Sequence, residues 1–248
     1  MNKLEVKNIS KSFGDNNVLK DISIELNQGE LVCLLGISGS GKTTLFNIIS
    51  GLVSPDDGQV LLDGEDITNR SGHISYMLQK DLLLPYRTIE DNVALPLLLK
   101  GEKKKAARNR VSPLFSQFGL EGTQKKYPSQ LSGGMRQRAA LLRTYMFSKD
   151  VALLDEPFSA LDALTRETMQ NIVLELCEQQ NLTLVLVTHN IEEAIFLGQK
   201  IAVFSDNSGI IRHVADNSHS GEISYRGTEE FYQHCSELRG WIGGGDNA

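Results

Sequence analysis

One stretch limits what this chain can fold into more than any other: Gly36-Ile37-Ser38-Gly39-Ser40-Gly41-Lys42-Thr43-Thr44. It fits G-x-x-x-x-G-K-[ST], a pattern that functions only between a strand and a helix. Both flanks comply. Leu31-Val32-Cys33-Leu34-Leu35 is an apolar run of strand length, and Thr44-Leu45-Phe46-Asn47-Ile48-Ile49 reads as a helix start ending near Gly51. Gly36, Gly39 and Gly41, with Ser38 and Ser40 between them, let the backbone curl with its N–H groups inward, a nest for an anion. The following helix adds unpaired N–H groups and the positive end of its dipole. Lys42 supplies a full charge for the β- and γ-phosphates, and Thr43 a hydroxyl for Mg²⁺, a hard cation that prefers oxygen. The loop specifies a nucleotide and leaves its use open.

The 248 residues suffice for one large domain, or a domain with a subdomain. With 40% hydrophobic and 23% charged residues, a packed core is expected rather than disorder. A net charge of −6 argues against a nucleic-acid partner, which needs a basic surface to displace counterions. Cys33, Cys177 and Cys235 form no C-x-x-C pair and read as buried or reduced thiols of a cytosolic protein. The first residues carry no apolar signal segment. Val93-Ala94-Leu95-Pro96-Leu97-Leu98-Leu99 falls far below the ~20 residues needed to span a bilayer, so the chain is not expected to cross a membrane by itself.

Residues 4–9 and 22–26 alternate apolar and polar, which predicts half-exposed strands of a small antiparallel sheet. Phe13 precedes the turn Gly14-Asp15-Asn16-Asn17 and is either a packing residue or a platform for a base. Residues 59–62 and 74–78 are strand-like. From residue 80 to 149 the pattern is helical, with a basic stretch at 102–110 read as a solvated face. Pro113 predicts a kink, or a second helix capped by Ser112, and Gly119 is a plausible helix end. Val151-Ala152-Leu153-Leu154 and residues 182–187 are continuous apolar runs, suited to parallel strands covered on both faces. Leu161, Leu164, Thr168, Ile172, Val173 and Leu176 predict one face of a helix between them. A short helix over 191–197, a strand over 201–204, a closing helix over 231–241 and a frayed tail over 243–248 complete the expectation.

The strand at 151–154 runs into Asp155-Glu156, and ligands of α/β sheets bind at the carboxyl ends of strands. Such a strand is expected beside the loop strand. Asp155 is then placed to hold Mg²⁺ directly or through its water, and Glu156 to orient the attacking water or accept its proton. Leu131-Ser132-Gly133-Gly134-Met135-Arg136-Gln137-Arg138 is a second glycine-rich helix start. From physics alone it is either a helix cap or a second anion site, one serving a partner's nucleotide.

Together these stretches resemble the ATP-binding cassette of ABC transporters over about residues 3 to 205. Gly36 to Thr44 matches Walker A, and Phe13 the aromatic that stacks on adenine. Gln79 matches the Q-loop glutamine, which contacts Mg²⁺ and senses the transmembrane partner. Residues 131–138 match the signature motif, Asp155 and Glu156 Walker B with its catalytic glutamate, and Ser159-Ala160-Leu161-Asp162 the D-loop. His189 matches the switch histidine that contacts the γ-phosphate. Met135 departs from the glutamine of many members, and residues 143–147 depart from the usual small-residue run. The motifs at 155–166 and 83–87 look most like the branch importing nitrate, sulfonates, taurine or thiamine-precursor pyrimidines.

The resemblance implies an α/β fold: a P-loop NTPase core with a parallel sheet and a small antiparallel β subdomain, over 1–79 and 150–248. An α-helical subdomain carrying the signature motif is inserted over 80–149. It implies an ATPase binding Mg-ATP head to tail with a second copy, so that Ser132, Gly134 and Asp162 meet the partner's nucleotide. It further implies permease subunits, a substrate-binding protein, no nucleic acid, and a peripheral place on the cytoplasmic face of the membrane. Leu82-Leu83-Leu84-Pro85 is either local core or a docking surface for a membrane partner. The rival expectation is a soluble ABC-type ATPase acting on DNA or ribosomes. Such proteins usually show two cassettes, a long coiled coil or zinc cysteines.

Overall fold

The computed structural model describes residues 2–147, 150–205 and 209–243. Strands β1 (Asn2–Phe13) and β2 (Asn16–Asn27) pair antiparallel, and their alternation buries Leu4, Val6, Ile9, Ile22 and Leu26. A second sheet contains β3 (Leu31–Leu35), which leads through the glycine loop into α1 (Lys42–Ile49). Strands β4 (Asp57–Leu62) and β5 (Glu65–Asp66) return to the first sheet, in the order β2-β1-β4-β5. The second sheet is completed by β6 (Ser75–Met77), β7 (Val151–Asp155), β8 (Thr183–Thr188), β9 (Lys200–Phe204) and β10 (Ile211–Asp216). Its order is β10-β9-β3-β8-β7-β6, parallel throughout except at β10.

The continuous apolar runs are explained by cover on both faces. Leu31, Cys33, Leu35, Leu184, Leu186 and Leu154 join one core cluster with the helices. Val32, Leu34, Val185, Val187 and Leu153 join another with α1 and the antiparallel sheet. Cys33, Cys177 and Cys235 are buried free thiols, as their spacing implied.

Two features of the sheet differ from expectation. The acid-bearing β7 does not adjoin the loop strand, because β8 lies between them. All six β8 residues are buried, which suits the centre of a sheet. The polar strand β10 gave no clear pattern in the sequence because it is an edge strand, bonded to β9 alone.

Between β6 and β7 the chain forms α2 (Ile89–Val93), α3 (Leu95–Leu99), α4 (Lys104–Val111), α5 (Leu114–Gln117) and α6 (Gly133–Phe147). Pro113 separates α4 from α5, but Ser112 does not cap the new helix, whose start lacks a side-chain cap. Gly119 follows α5 with φ +59°, a left-handed stop. The basic stretch is more than a solvated face. Arg108 and Lys104 clasp Asp91 of α2 at 2.8 and 3.0 Å. Burial opposes ionisation there, yet these bonds hold the Asp91 carboxyl below its ordinary range.

Beyond β7 lie α7 (Ala163–Gln180), α8 (Ile191–Leu197) and α9 (Glu229–Gly243). The buried face of α7 is Met169, Val173 and Cys177, and Leu164 is 79% exposed. Of the expected face, Leu161 and Val173 are buried and Ile172 and Leu176 pack half-buried against the core, whereas Leu164 and Thr168 face solvent. The expected frayed tail lies, from residue 244 onward, outside the described residues. Among the described residues no helix is long and apolar enough to cross a membrane.

Candidate active site

The loop takes its shape from positions where only glycine fits. Gly41 has φ +99°, and a Cβ there would meet the Val18 carbonyl oxygen at 2.7 Å. It is the cap residue from which α1 begins. Lys42 is buried and folds back over the loop, its Nζ donating to the Gly36 carbonyl (2.9 Å), the Ile37 carbonyl (2.6 Å) and Ser40 Oγ (2.9 Å). Burial pulls the Lys42 ammonium below its ordinary range, against the attraction of Glu156 and Asp155. Ser38, Gly39 and Thr43 are exposed along the loop, and Thr44 is half-buried.

Three strand ends meet beside this loop. Asp155, the last residue of β7, is 2% exposed and accepts a hydrogen bond from Thr43 Oγ1 at 3.0 Å. Burial pushes its carboxyl up, the Thr43 bond opposes this, and Glu156 adds to it. A hydroxyl and a buried carboxylate within bonding distance form the oxygen donor set that Mg²⁺ prefers, so these residues fit that ion. Glu156 follows with φ +49°, a left-handed backbone that costs a non-glycine residue energy and recurs at functional sites. Its two oxygens are both engaged: Gln79 Nε2 donates to Oε2 at 3.2 Å, and His189 Nδ1 lies 3.1 Å from Oε1. Gln79 follows β6 and His189 follows β8. The fold thus gathers Lys42, Thr43, Gln79, Asp155, Glu156 and His189. They combine a charge and a nest for phosphate, oxygens for a cation, and a carboxylate aimed by two neighbours.

The other expected residues have separate contacts. Phe13 ends β1 with 52% of its surface exposed, and Lys11 Nζ lies 5.4 Å from its ring centroid. Ser132 Oγ accepts from the Met135 amide at 3.3 Å, capping α6. Gly134 faces Leu161 and the Ala160 carbonyl, which a Cβ would approach to 3.1 and 3.4 Å. Asp162 caps α7 by accepting from the Thr165 amide and hydroxyl at 3.0 and 2.8 Å, bonds that hold its carboxyl below the ordinary range. Met135, the departure from glutamine, packs half-buried against the core.

Sequence reasoning missed the residues that tie these pieces together. Gln137 is buried; its Nε2 donates to the Glu156 carbonyl at 2.9 Å and its Oε1 accepts from the Ala160 amide at 2.9 Å. One side chain of α6 therefore braces both the strained Glu156 and the turn before Asp162. Arg143 donates to the Leu82 and Asp81 carbonyls at 2.8 and 2.7 Å, and Arg136 Nε to Asp81 Oδ2 at 3.1 Å. The unusual Arg143 thus grips the chain just beyond Gln79. Two arginines seven residues apart share one helix face, the signal that could have found them. There Leu82 turns outward with φ +43° while Leu83 is buried, so the 82–85 stretch divides between core and surface.

Comparison with known proteins identifies the family. Residues 19–159 match the family model described as ABC transporter. The chain is 43% identical over 204 residues to the formylaminopyrimidine import ATP-binding protein ThiZ of Halalkalibacterium halodurans, covering 82% of this chain and 80% of that one. It is 40% identical over 211 residues to the aliphatic sulfonates import ATP-binding protein SsuB of Bacillus cereus, covering 85% and 83%. Among solved structures it resembles a dimeric post-hydrolysis state of the ATP-binding cassette MJ0796 bound to ADP and Pi. That likeness has a TM-score of 0.79 and 31% identity, over 86% of this chain and 98% of the other.

Proposed function

Because this chain belongs to the ABC transporter family, we propose that it is the ATP-hydrolysing subunit of an import system, working as a head-to-tail pair. Lys42 and the loop amides bind the β- and γ-phosphates, and Phe13 stacks on the base. Thr43, Asp155 and Gln79 would hold Mg²⁺, which supplies neutralising charge to the phosphate oxygens. Glu156 orients the attacking water and receives its proton, and His189 contacts the γ-phosphate while steadying Glu156. Ser132, Gly134 and Asp162 meet the nucleotide held by the second copy. ATP stabilises the closed pair more than ADP does, and that difference drives permease subunits. In this reading residues 1–79 and 150–248 form the core and 80–149 the helical insert. The protein sits on the cytoplasmic face of the membrane and works with a substrate-binding protein. The imported solute is of the nitrate, sulfonate, taurine or thiamine-precursor pyrimidine kind.

The observation that carries this reading is the Glu156 carboxylate held between Gln79 and His189, one residue beyond the Asp155–Thr43 contact. Glu156→Gln is expected to keep ATP binding, lower turnover by ~10²–10⁴-fold and trap an ATP-bound dimer. Turnover like the parent's would remove Glu156 from the mechanism. A pull-down of the same variant with ATP from detergent-solubilised membranes is expected to recover a polytopic membrane protein. Recovery only with ribosomes or nucleic acid would overturn the transporter reading.

A further inference from the structure

A chain of polar contacts leads from the last fifth of the molecule to the loop bearing His189. It starts at Arg226, whose guanidinium lies 3.6 Å from the centroid of Phe196 on α8 and donates to Gln170 Oε1 at 2.7 Å. Gln170 is buried on α7, and its Nε2 donates to Glu193 Oε1 at 3.1 Å. Glu193, also buried, takes a side-chain hydrogen bond from Thr188, the residue before His189. The Glu193 amide donates to Asn190 Oδ1 at 3.2 Å, and the Asn190 amide to Thr188 Oγ1 at 3.0 Å. Thr188 and Asn190, on either side of His189, are therefore both fixed by Glu193. His189 itself is largely exposed, and its ring reaches Glu156.

A buried carboxylate joined to a buried amide is costly unless each bond is made, and completed networks are rigid. Here the outermost bond is supplied by residue 226, far beyond the 19–159 span of the family match. Arg226 has no contact with the phosphate loop in this chain of bonds, so its effect on chemistry must pass through the histidine loop.

We propose that Arg226, acting through Gln170 and Glu193, is a positioning residue that sets His189 against Glu156, so that the C-terminal stretch controls the rate of ATP hydrolysis. The proposal rests on the site reading given above. It predicts an effect on turnover with little effect on nucleotide affinity, because Lys42 and the loop amides are untouched.

The test is a double-mutant cycle on the full chain, read by steady-state ATPase and by titration of nucleotide affinity. Arg226→Ala is expected to lower kcat about five-fold with KM for ATP and nucleotide affinity changed less than about two-fold. His189→Ala is expected to be slower still, and the double variant to be no slower than His189→Ala alone. Gln170→Met, which keeps volume and removes both bonds, should repeat the pattern if Arg226→Ala folds poorly. Independent, multiplying losses in the double variants, or parental kcat in both Arg226→Ala and Gln170→Met, would overturn the proposal and leave the site reading standing. Parental turnover in His189→Ala would overturn the site reading itself, and this proposal with it.

Discussion

Two helices in this molecule begin beside glycine and serine, and they begin in opposite circumstances. At α1 the start is closed from within: Lys42 is buried and bonded to two loop carbonyls and Ser40. At α6 the start is exposed at Ser132 and Gly133, and the Ser132 hydroxyl caps the helix without covering it. The first glycine motif is complete in one chain, because its cation folds back over it. The second offers N–H groups to whatever meets it. The same local chemistry therefore makes a binding pocket in one place and a contact surface in the other. The difference lies in where the nearest long basic side chain goes: Lys42 closes over its own loop, whereas Arg136 donates to the Leu131 carbonyl and to Asp81 and leaves the start at Ser132 and Gly133 exposed.

The largest expected effect falls on the closed start. Lys42→Ala removes a buried charge and three hydrogen bonds, and nucleotide affinity measured by titration should fall by ~10²-fold or more. Unchanged affinity would contradict the loop assignment. At the open start, Ser132→Ala should leave monomer affinity within about two-fold while lowering turnover ~10-fold and melting temperature by ~2–4 °C, the cost of a lost cap. A loss of monomer affinity matching that of Lys42→Ala would erase the distinction between the two starts.

A smaller effect is expected farther along α6. Arg143→Met should lower turnover a few-fold by freeing the Asp81 and Leu82 carbonyls, at a stability cost of about 1–3 kcal/mol visible in denaturant melts. Parental values for both would remove Arg143 as the link between α6 and the Gln79 loop.

The smallest effect is a pH signature at Glu193. Burial raises its carboxyl above the ordinary range, against Thr188, Gln170, Arg166 and His189, and Arg226 and Cys33 also feel its charge. A carboxyl raised on folding contributes stability that is complete below its unfolded pKa and lost as pH rises through the folded one. Glu193→Gln keeps the shape and removes the charge. Its melting temperature should match the parent's at the acid end and exceed it by a few degrees at neutral pH. A gap that narrows with rising pH would reverse the assigned sign.

The phosphate loop, the strand–acid junction at Asp155-Glu156 and the helix start at 131–138 were legible because each is a short run with its own local geometry. The parallel strands were legible because two covered faces leave an unbroken apolar run. Arg136, Gln137 and Arg143 were not, since their partners lie roughly 5 to 60 residues away along the chain. The edge strand β10 escaped for a different reason. Exposure at a sheet edge permits polar residues, so no apolar pattern marks the strand.

Residue order alone, then, decided which chemistry the chain can carry: a nest for phosphate, oxygens for a cation, a carboxylate at a strand end. Tertiary structure decided which of these groups meet. Strand order placed β8 between β3 and β7 and so delivered His189 to Glu156, across 33 residues of chain. It also decided that α1 starts under its own lysine while α6 starts open. Local sequence sets backbone conformation over a few residues, whereas burial and long-range hydrogen bonds depend on how whole elements pack.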